Sequence, residues 1–482
     1  MNAPKVFVLA GSMFAFGHPW IAHCIAAADS SGIELAQQRP PVVGQSRWQP
    51  SDPIRVGRGS AYIDIGLVGT IAAGGSTASD IEGGTQLGGH DPNQRGFTLQ
   101  GIELNLAGAV DPYFRGSVNL SYALDADNES AFELEEAWME TISLPWNLQL
   151  RGGQIYTDIG RQNSLHLHRW AFVDVPLVNG RFLGPDGLRN PGARLSWLVP
   201  TPFYSELSVA VQNSHGETAS SFRGEPGHGQ EDAESVPFAF REAENDRGIH
   251  AAEDLLLSAR YAISFGLTGT QTLLVGASAA VGPNNSGDLG DDTQTEIYGV
   301  DLLWKWQGSR QQGGFPFLAW QTEAMVRNYE AGAFNWDRAA NLGDADGNGF
   351  PDAGILIDPT TLLPALMSPE TLTDYGIYSQ LLFGFRKGWV VGLRYDFVDS
   401  DVGDYEKRGL LLSDNAGAGS PAGHDPARDR RWRLSPNLTW YPSEYSKIRL
   451  QYNYDDRRNE GEDHSVWLQF EFSLGAHPAH QF

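Results

Sequence analysis

The feature that most constrains this chain is a two-residue alternation of apolar and polar side chains, sustained over runs of about ten residues. Near the C-terminus Trp432, Leu434, Leu438 and Trp440 alternate with Arg433, Ser435, Asn437 and Thr439. The next run sets Ile448, Leu450, Tyr452 and Tyr454 against Lys447, Arg449, Gln451, Asn453 and Asp455. A third sets Val466, Leu468, Phe470, Phe472 and Leu474 against Ser465, Gln469, Glu471 and Ser473. Strands of a soluble sandwich usually hold about five or six residues, whereas about ten are needed to cross a bilayer at a tilt. The expected class is all-β: a transmembrane antiparallel barrel, greasy outside and wet inside.

Composition agrees. The 482 residues are 41% hydrophobic and 11% aromatic, with 56 glycines and 14 tryptophans, which suits many strands joined by turns and flanked by aromatic girdles. Mean hydropathy is -0.32, and past the N-terminal segment no run reaches the roughly 18 apolar residues of a membrane helix. Counting alternating runs gives about sixteen strands, within the range of bacterial barrels. The expected starts are Ala61, Gly96, Phe114, Ala131, Leu148, Gly192, Tyr204, Asp254, Thr270, Gln294, Phe315, Leu372, Val390, Arg431, Ser446 and His464. Short links such as Asp111-Pro112-Tyr113 and Lys387-Gly388-Trp389 alternate with mostly long polar ones, the pattern of periplasmic turns and external loops.

The N-terminus reads as an export signal over 1–28, with Lys5, an apolar stretch from Val6 to Gly17, and Ala26-Ala27-Ala28 before Asp29. A periplasmic segment is expected over 29–60, the barrel over 61–475 and a tail over 476–482. Cleavage after Ala28 removes Cys24, the one cysteine, so disulfides and thiol chemistry are not expected. The expected location is the outer membrane, with lipid and lipopolysaccharide as surroundings.

Glu136, Leu148, Leu150, Gly153-Gln154, Thr157 and Gly160-Arg161-Gln162-Asn163 resemble a strand-turn-strand pattern of phosphate-selective porin O/P-like proteins. Trp170 to Gly187, with Val173-Asp174, Pro176-Leu177-Val178 and Gly184-Pro185-Asp186-Gly187, and the ending Trp467 to Phe470 with Gly475-Ala476-His477, are similar to uncharacterised Gram-negative outer-membrane proteins. Some of these carry the label "zinc-regulated TonB-dependent receptor". The porin resemblance implies diffusion of small hydrophilic solutes or ions through a constricted lumen, and a homotrimer. The other label implies a receptor or metal-uptake protein, here without the plug domain that such receptors carry.

The resemblance to 16-stranded porins also implies that the third external loop, about 158–190, folds inward and sets selectivity. Its candidate residues are Arg161, His166, His168, Arg169, Asp174 and Arg181. His166 and His168 read either as exposed loop histidines or as a weak metal or anion contact. Arg115, Glu133, Glu135, Arg151, Arg394, Asp396, Arg433 and Arg449 fall on the inward phase as a lumen wall of mixed sign.

The net charge of -25 makes nucleic acid an unexpected partner. Acids crowd the expected external loops: Glu231, Asp232, Glu234, Glu242, Glu244 and Asp246 in one, Asp288, Asp291 and Asp292 in another. Such a mouth would concentrate cations, so the open pore is expected to prefer cations, against the pull of arginines in the third loop. Asp344, Asp346, Asn348, Phe350 and Asp352 space oxygen donors as a calcium-binding loop does, and an ordinary Asp/Gly-rich loop reads equally well there. No Gly-x-Ser-x-Gly segment or convincing triad occurs, so no enzyme is expected.

Overall fold

A computed structural model describes residues 54–224, 238–241, 248–287, 292–336, 356–361, 363–412, 420–421, 425 and 427–475. The segments expected as signal and tail, the Asp344–Asp352 motif and most of the acidic loop residues lie outside them. No helix of the described residues is long and apolar enough to cross a membrane.

Sixteen antiparallel strands form one sheet: β1 (Ala61–Ser76), β2 (Gly96–Ala109), β3 (Phe114–Leu124), β4 (Ser130–Thr141), β5 (Leu148–Tyr156), β6 (Arg189–Leu198), β7 (Tyr204–Asn213), β8 (Leu255–Thr268), β9 (Gln271–Pro283), β10 (Gln294–Gln312), β11 (Phe315–Ala331), β12 (Glu370–Arg386), β13 (Trp389–Ser400), β14 (Arg431–Ser443), β15 (Ser446–Arg457) and β16 (Gly461–Gly475). Each pairs with its chain neighbours, and β16 returns to β1 with Gly475 opposite Gly66 and Ser465 opposite Ser76. The sheet is therefore a closed barrel, which leaves no unpaired edge in the hydrocarbon. Nine of the sixteen expected starts fall on a strand's first residue, and the others lie within three positions.

One strand precedes the expected boundary at 61. Ile54–Arg58 turns back on β1, with Ile54 opposite Ile65 and Arg58 opposite Ala61. It takes up the β1 ladder at the position after β16 ends.

Outward side chains form an aliphatic band between two aromatic girdles. Near the turns Trp389 stacks on Trp440, with ring centroids 5.7 Å apart. Near the loops Trp432 packs on Tyr454 and Tyr395. Val391, Leu393, Leu438, Leu450, Val466 and Leu468 lie between them, all exposed. From Trp389 to Phe397 a strand rises about 26 Å, which at a barrel tilt of about 40° covers about 20 Å along the membrane normal, close to the apolar band of about 25 Å. The molecule is an outer-membrane barrel.

Links at one end are tight, such as 269–270 and 387–388; the loops lie at the other end. Two loops, 125–129 and 458–460, are as short as turns, so the alternation of lengths is less regular than the sequence suggests. The third loop, L3 (157–188), does not stay at the mouth.

Candidate functional site: the inward-folded third loop

L3 carries Leu177, Val178, Phe182 and Leu183 on a helix, α1 (Leu177–Leu183), begun by the fixed φ of Pro176 and ended by Gly184 at φ 88°. Every residue of α1 except Arg181 is buried. The helix packs on inward-facing Ile297, Met325, Tyr378 and Val398 of β10 to β13, with Ala219 and Phe222 from the fourth loop. Gly376 makes room, since a Cβ there would come within 2.8 Å of Val178 and Val398. One side of the lumen thus holds an apolar core that buries the helix. Buried apolar surface contributes about 25 cal/mol per Å², so this cluster favours the inward position of L3.

Polar wall residues fix the loop's path by satisfying its backbone. Gln451 accepts from the Val173 amide at 2.9 Å, Gln100 donates to the Val173 carbonyl at 2.9 Å, and Asp396 accepts from the Leu177 amide at 3.1 Å. Asn437 donates to the Ala171 carbonyl at 3.0 Å, and Arg449 to the Trp170 carbonyl at 2.9 Å. On the opposite wall Ser278 accepts from the Gly160 amide at 3.0 Å and Glu323 from the Gln162 amide at 2.8 Å. L3 spans the lumen from β2 through β15.

Asp174 is the charged anchor. It is buried against Arg394 (2.6 Å), Arg433 (3.0 Å), Gln451 (3.0 Å) and Asn453 (2.8 Å). Burial pushes its carboxyl up, but Arg394 and Arg433 more than offset this and hold it below the usual aspartate value. Arg394 also binds Asp396, and Arg433 binds Asp455. Arg394, Asp396 and Arg433 are therefore not a wetted wall, as the alternation implies; they are dry parts of the loop's clamp, each 1% exposed or less.

His166 and His168 are not exposed loop histidines. His166 Nδ1 lies 2.6 Å from Glu135 Oε2 and its Nε2 3.0 Å from Glu136 Oε2; His168 bonds Glu103. The two rings stack with centroids 6.0 Å apart. Burial opposes charge on His166, yet the two glutamates raise its pKa well above the ordinary histidine value. Two successive glutamates can both face inward because β4 bulges: Asn119 pairs with Glu136 and Leu120 with Leu134, leaving Glu135 as the extra residue.

The remaining candidates divide. Arg115 and Arg151 both bind Glu140, at 2.5 and 2.7 Å. Glu133 binds Arg189 at 2.7 Å. Arg181 reaches away from the lumen's narrow part, donating to the Asp429 carbonyl at 2.8 Å. Arg161 and Arg169 do line a cavity on the turn side of L3, together with His168, Lys305, Lys447 and Arg449. Among the described residues that line it there is no carboxylate. Gln162 also lines it; the sequence shows Lys305 and Lys447 as inward-phase residues and Gln162 as part of the Gly160–Asn163 run, and marks none of them as a site residue.

A closed sixteen-stranded barrel narrowed by its third loop is the architecture of porins. No protein-family model matches the chain. An uncharacterized protein of Aquifex aeolicus (strain VF5) is 29% identical over 415 residues, covering 82% of this chain and 73% of its own. Among solved structures, the outer membrane channel DcaP of Acinetobacter baumannii matches with a TM-score of 0.51 at 12% identity, over 86% of this chain and 98% of its own. An anion-selective porin from Comamonas acidovorans gives a TM-score of 0.44 at 8% identity, over 86% of this chain and 100% of its own. The DcaP likeness, at 12% identity, shows the shared barrel fold and supports neither the phosphate-selective nor the TonB-dependent label.

Proposed function

We propose that the chain is a diffusion channel for small hydrophilic solutes, performing no chemistry on them, and that it favours anions. The observation that carries this reading is the cavity beneath L3, where Arg161, Arg169, Lys305 and Arg449 converge with Lys447, itself paired with Glu471, and no carboxylate is among the described lining residues. Several cations facing a confined aqueous space raise the local concentration of anions. Acids at the outer mouth would draw cations, but physiological salt limits their reach to about 8 Å, so the groups at the narrowest point decide. Because L3 is bonded to walls on opposite sides, the path is a narrow one and suits small ions better than large solutes.

Planar-bilayer recording under a KCl gradient tests this. A reversal potential of the sign for chloride preference is expected, moving toward potassium in Arg449→Glu. Cation preference unchanged by that substitution would sink the anion reading, and absence of any conductance would sink the channel reading itself.

A further inference from the structure

A second cluster lies away from that cavity, where the first loop, the third loop and the β4 wall meet. His90 of the first loop, Glu133 of β4 and Asp186 of L3 each present a ligand atom, all within 4.8 Å of one another. His90 is 6% exposed, and its Nε2 makes no hydrogen bond although Glu135 Oε1 lies 3.2 Å away and Glu133 Oε2 3.9 Å away. Asp186 Oδ1 is buried without a hydrogen-bond partner as well. On the other side of the ring, His90 Nδ1 lies 2.9 Å from the Gln100 carbonyl. A carbonyl accepts only from an N–H, so Nδ1 carries a proton and Nε2 is the ring atom that faces the carboxylates, which favour a second proton there. A lone pair facing carboxylates is repulsive unless a proton or a metal ion stands between them. Arg189, bound to Glu133, is the permanent cation at this cluster.

We propose that His90, Glu133 and Asp186 bind one divalent transition-metal ion that staples the first and third loops to the barrel wall. The site is independent of the conduction reading. One imidazole and carboxylate oxygens suit zinc, cobalt or manganese and not calcium, which takes oxygen ligands alone. A tetrahedral ion with bonds of about 2.1 Å holds its donors about 3.4 Å apart, so donors that now lie within 4.8 Å of one another close by up to about an ångström when the ion enters. Gly89 lies directly against the Asp186 carboxylate, and its amide donates to the Pro185 carbonyl at 3.0 Å. The two loops are therefore already in register for a shared ion.

The test uses full-length protein purified in detergent, stripped with EDTA and titrated with Zn²⁺ or Co²⁺ at neutral pH, with bound metal counted by mass spectrometry. Wild type is expected to retain one ion, to show visible Co²⁺ ligand-field bands and to gain thermal stability on Zn²⁺ addition. His90→Gln and Asp186→Asn are expected to bind at least about tenfold more weakly, while His464→Gln, on the outer surface, binds as wild type does. The two loop variants lie in different loops, so either one that folds suffices. Folded wild type that retains no ion, or equal retention and equal Co²⁺ spectra in His90→Gln, overturns the proposal.

Discussion

Replacing Asp174 by alanine leaves two buried guanidinium groups without the carboxylate they share, although each keeps a second one, Asp396 or Asp455. Losing one partner of a buried pair costs about 3–5 kcal/mol, and the retained partners place this site toward the lower end. Chemical denaturation of the detergent-folded protein should show that loss, and single-channel conductance should rise as L3 loosens. The same residue sets an acid limit. Its folded pKa lies below the ordinary 3.8, so its contribution is complete above the unfolded value and vanishes as pH falls through the folded one. The difference in melting temperature between wild type and Asp174→Asn should be flat above about pH 5 and shrink below 3.8. A difference that instead grows on acidification would contradict the clamp.

At the scale of the element, the bulge in β4 makes a separable prediction. Deleting Glu135 restores plain alternation, with Leu134 outward, Glu136 inward and Ala137 outward. The barrel should still assemble, as judged by heat-dependent migration on gels, while His166 keeps Glu136 alone and L3 becomes more open to protease. Gly376→Val is the apolar counterpart. It drives a side chain into Val178 and Val398, an overpacking that typically costs about 1–3 kcal/mol and should displace α1 without altering the strands.

These elements also mark where the sequence could and could not be read. Strand positions were legible because lipid outside and water or protein inside impose one period on every strand, from Ala61 to the Trp467–Phe472 run. Inward positions were legible for the same reason, and the named wall residues all point in. Their partners were not. Nothing in the alternation says that Gln451 and Asn453 hold Asp174, since those contacts join residues some 280 positions apart. The apolar inward patch of Ile297, Met325, Tyr378 and Val398 was masked because occasional apolar residues on a wet face look like noise until α1 covers them. The bulge at Glu135 reads in sequence as two adjacent acids, without saying that both face inward.

For the whole molecule, the balance of charge along the path governs conduction. Arg449 donates to Thr439, Gln469 and the Trp170 carbonyl, all neutral oxygens, so it is less compensated than Lys447, although Glu471 also lies within its electrostatic reach. Lys447 is bound to Glu471 at 2.5 Å and its field is largely cancelled at a distance. Arg449→Gln should therefore reduce chloride over potassium selectivity more than Lys447→Gln does. Equal effects, measured as reversal potentials in the same gradient, would place the selective step elsewhere.

The short N-terminal strand bears on how such a cylinder can be shut at all. A strand seeking β1 during insertion could slide along it, because every backbone group on that edge is equivalent to those two residues away. Ile54–Arg58 already occupies Ala61 through Ile65 through a local hairpin, and hairpins form in microseconds. When β16 arrives, it meets this piece of the chain end to end and stops with Gly475 at Gly66. Together the hairpin and the last strand cover that edge without a gap from Ala61 to Ser76, so a slide of the seam toward Ala61 by even two residues would have to displace the hairpin.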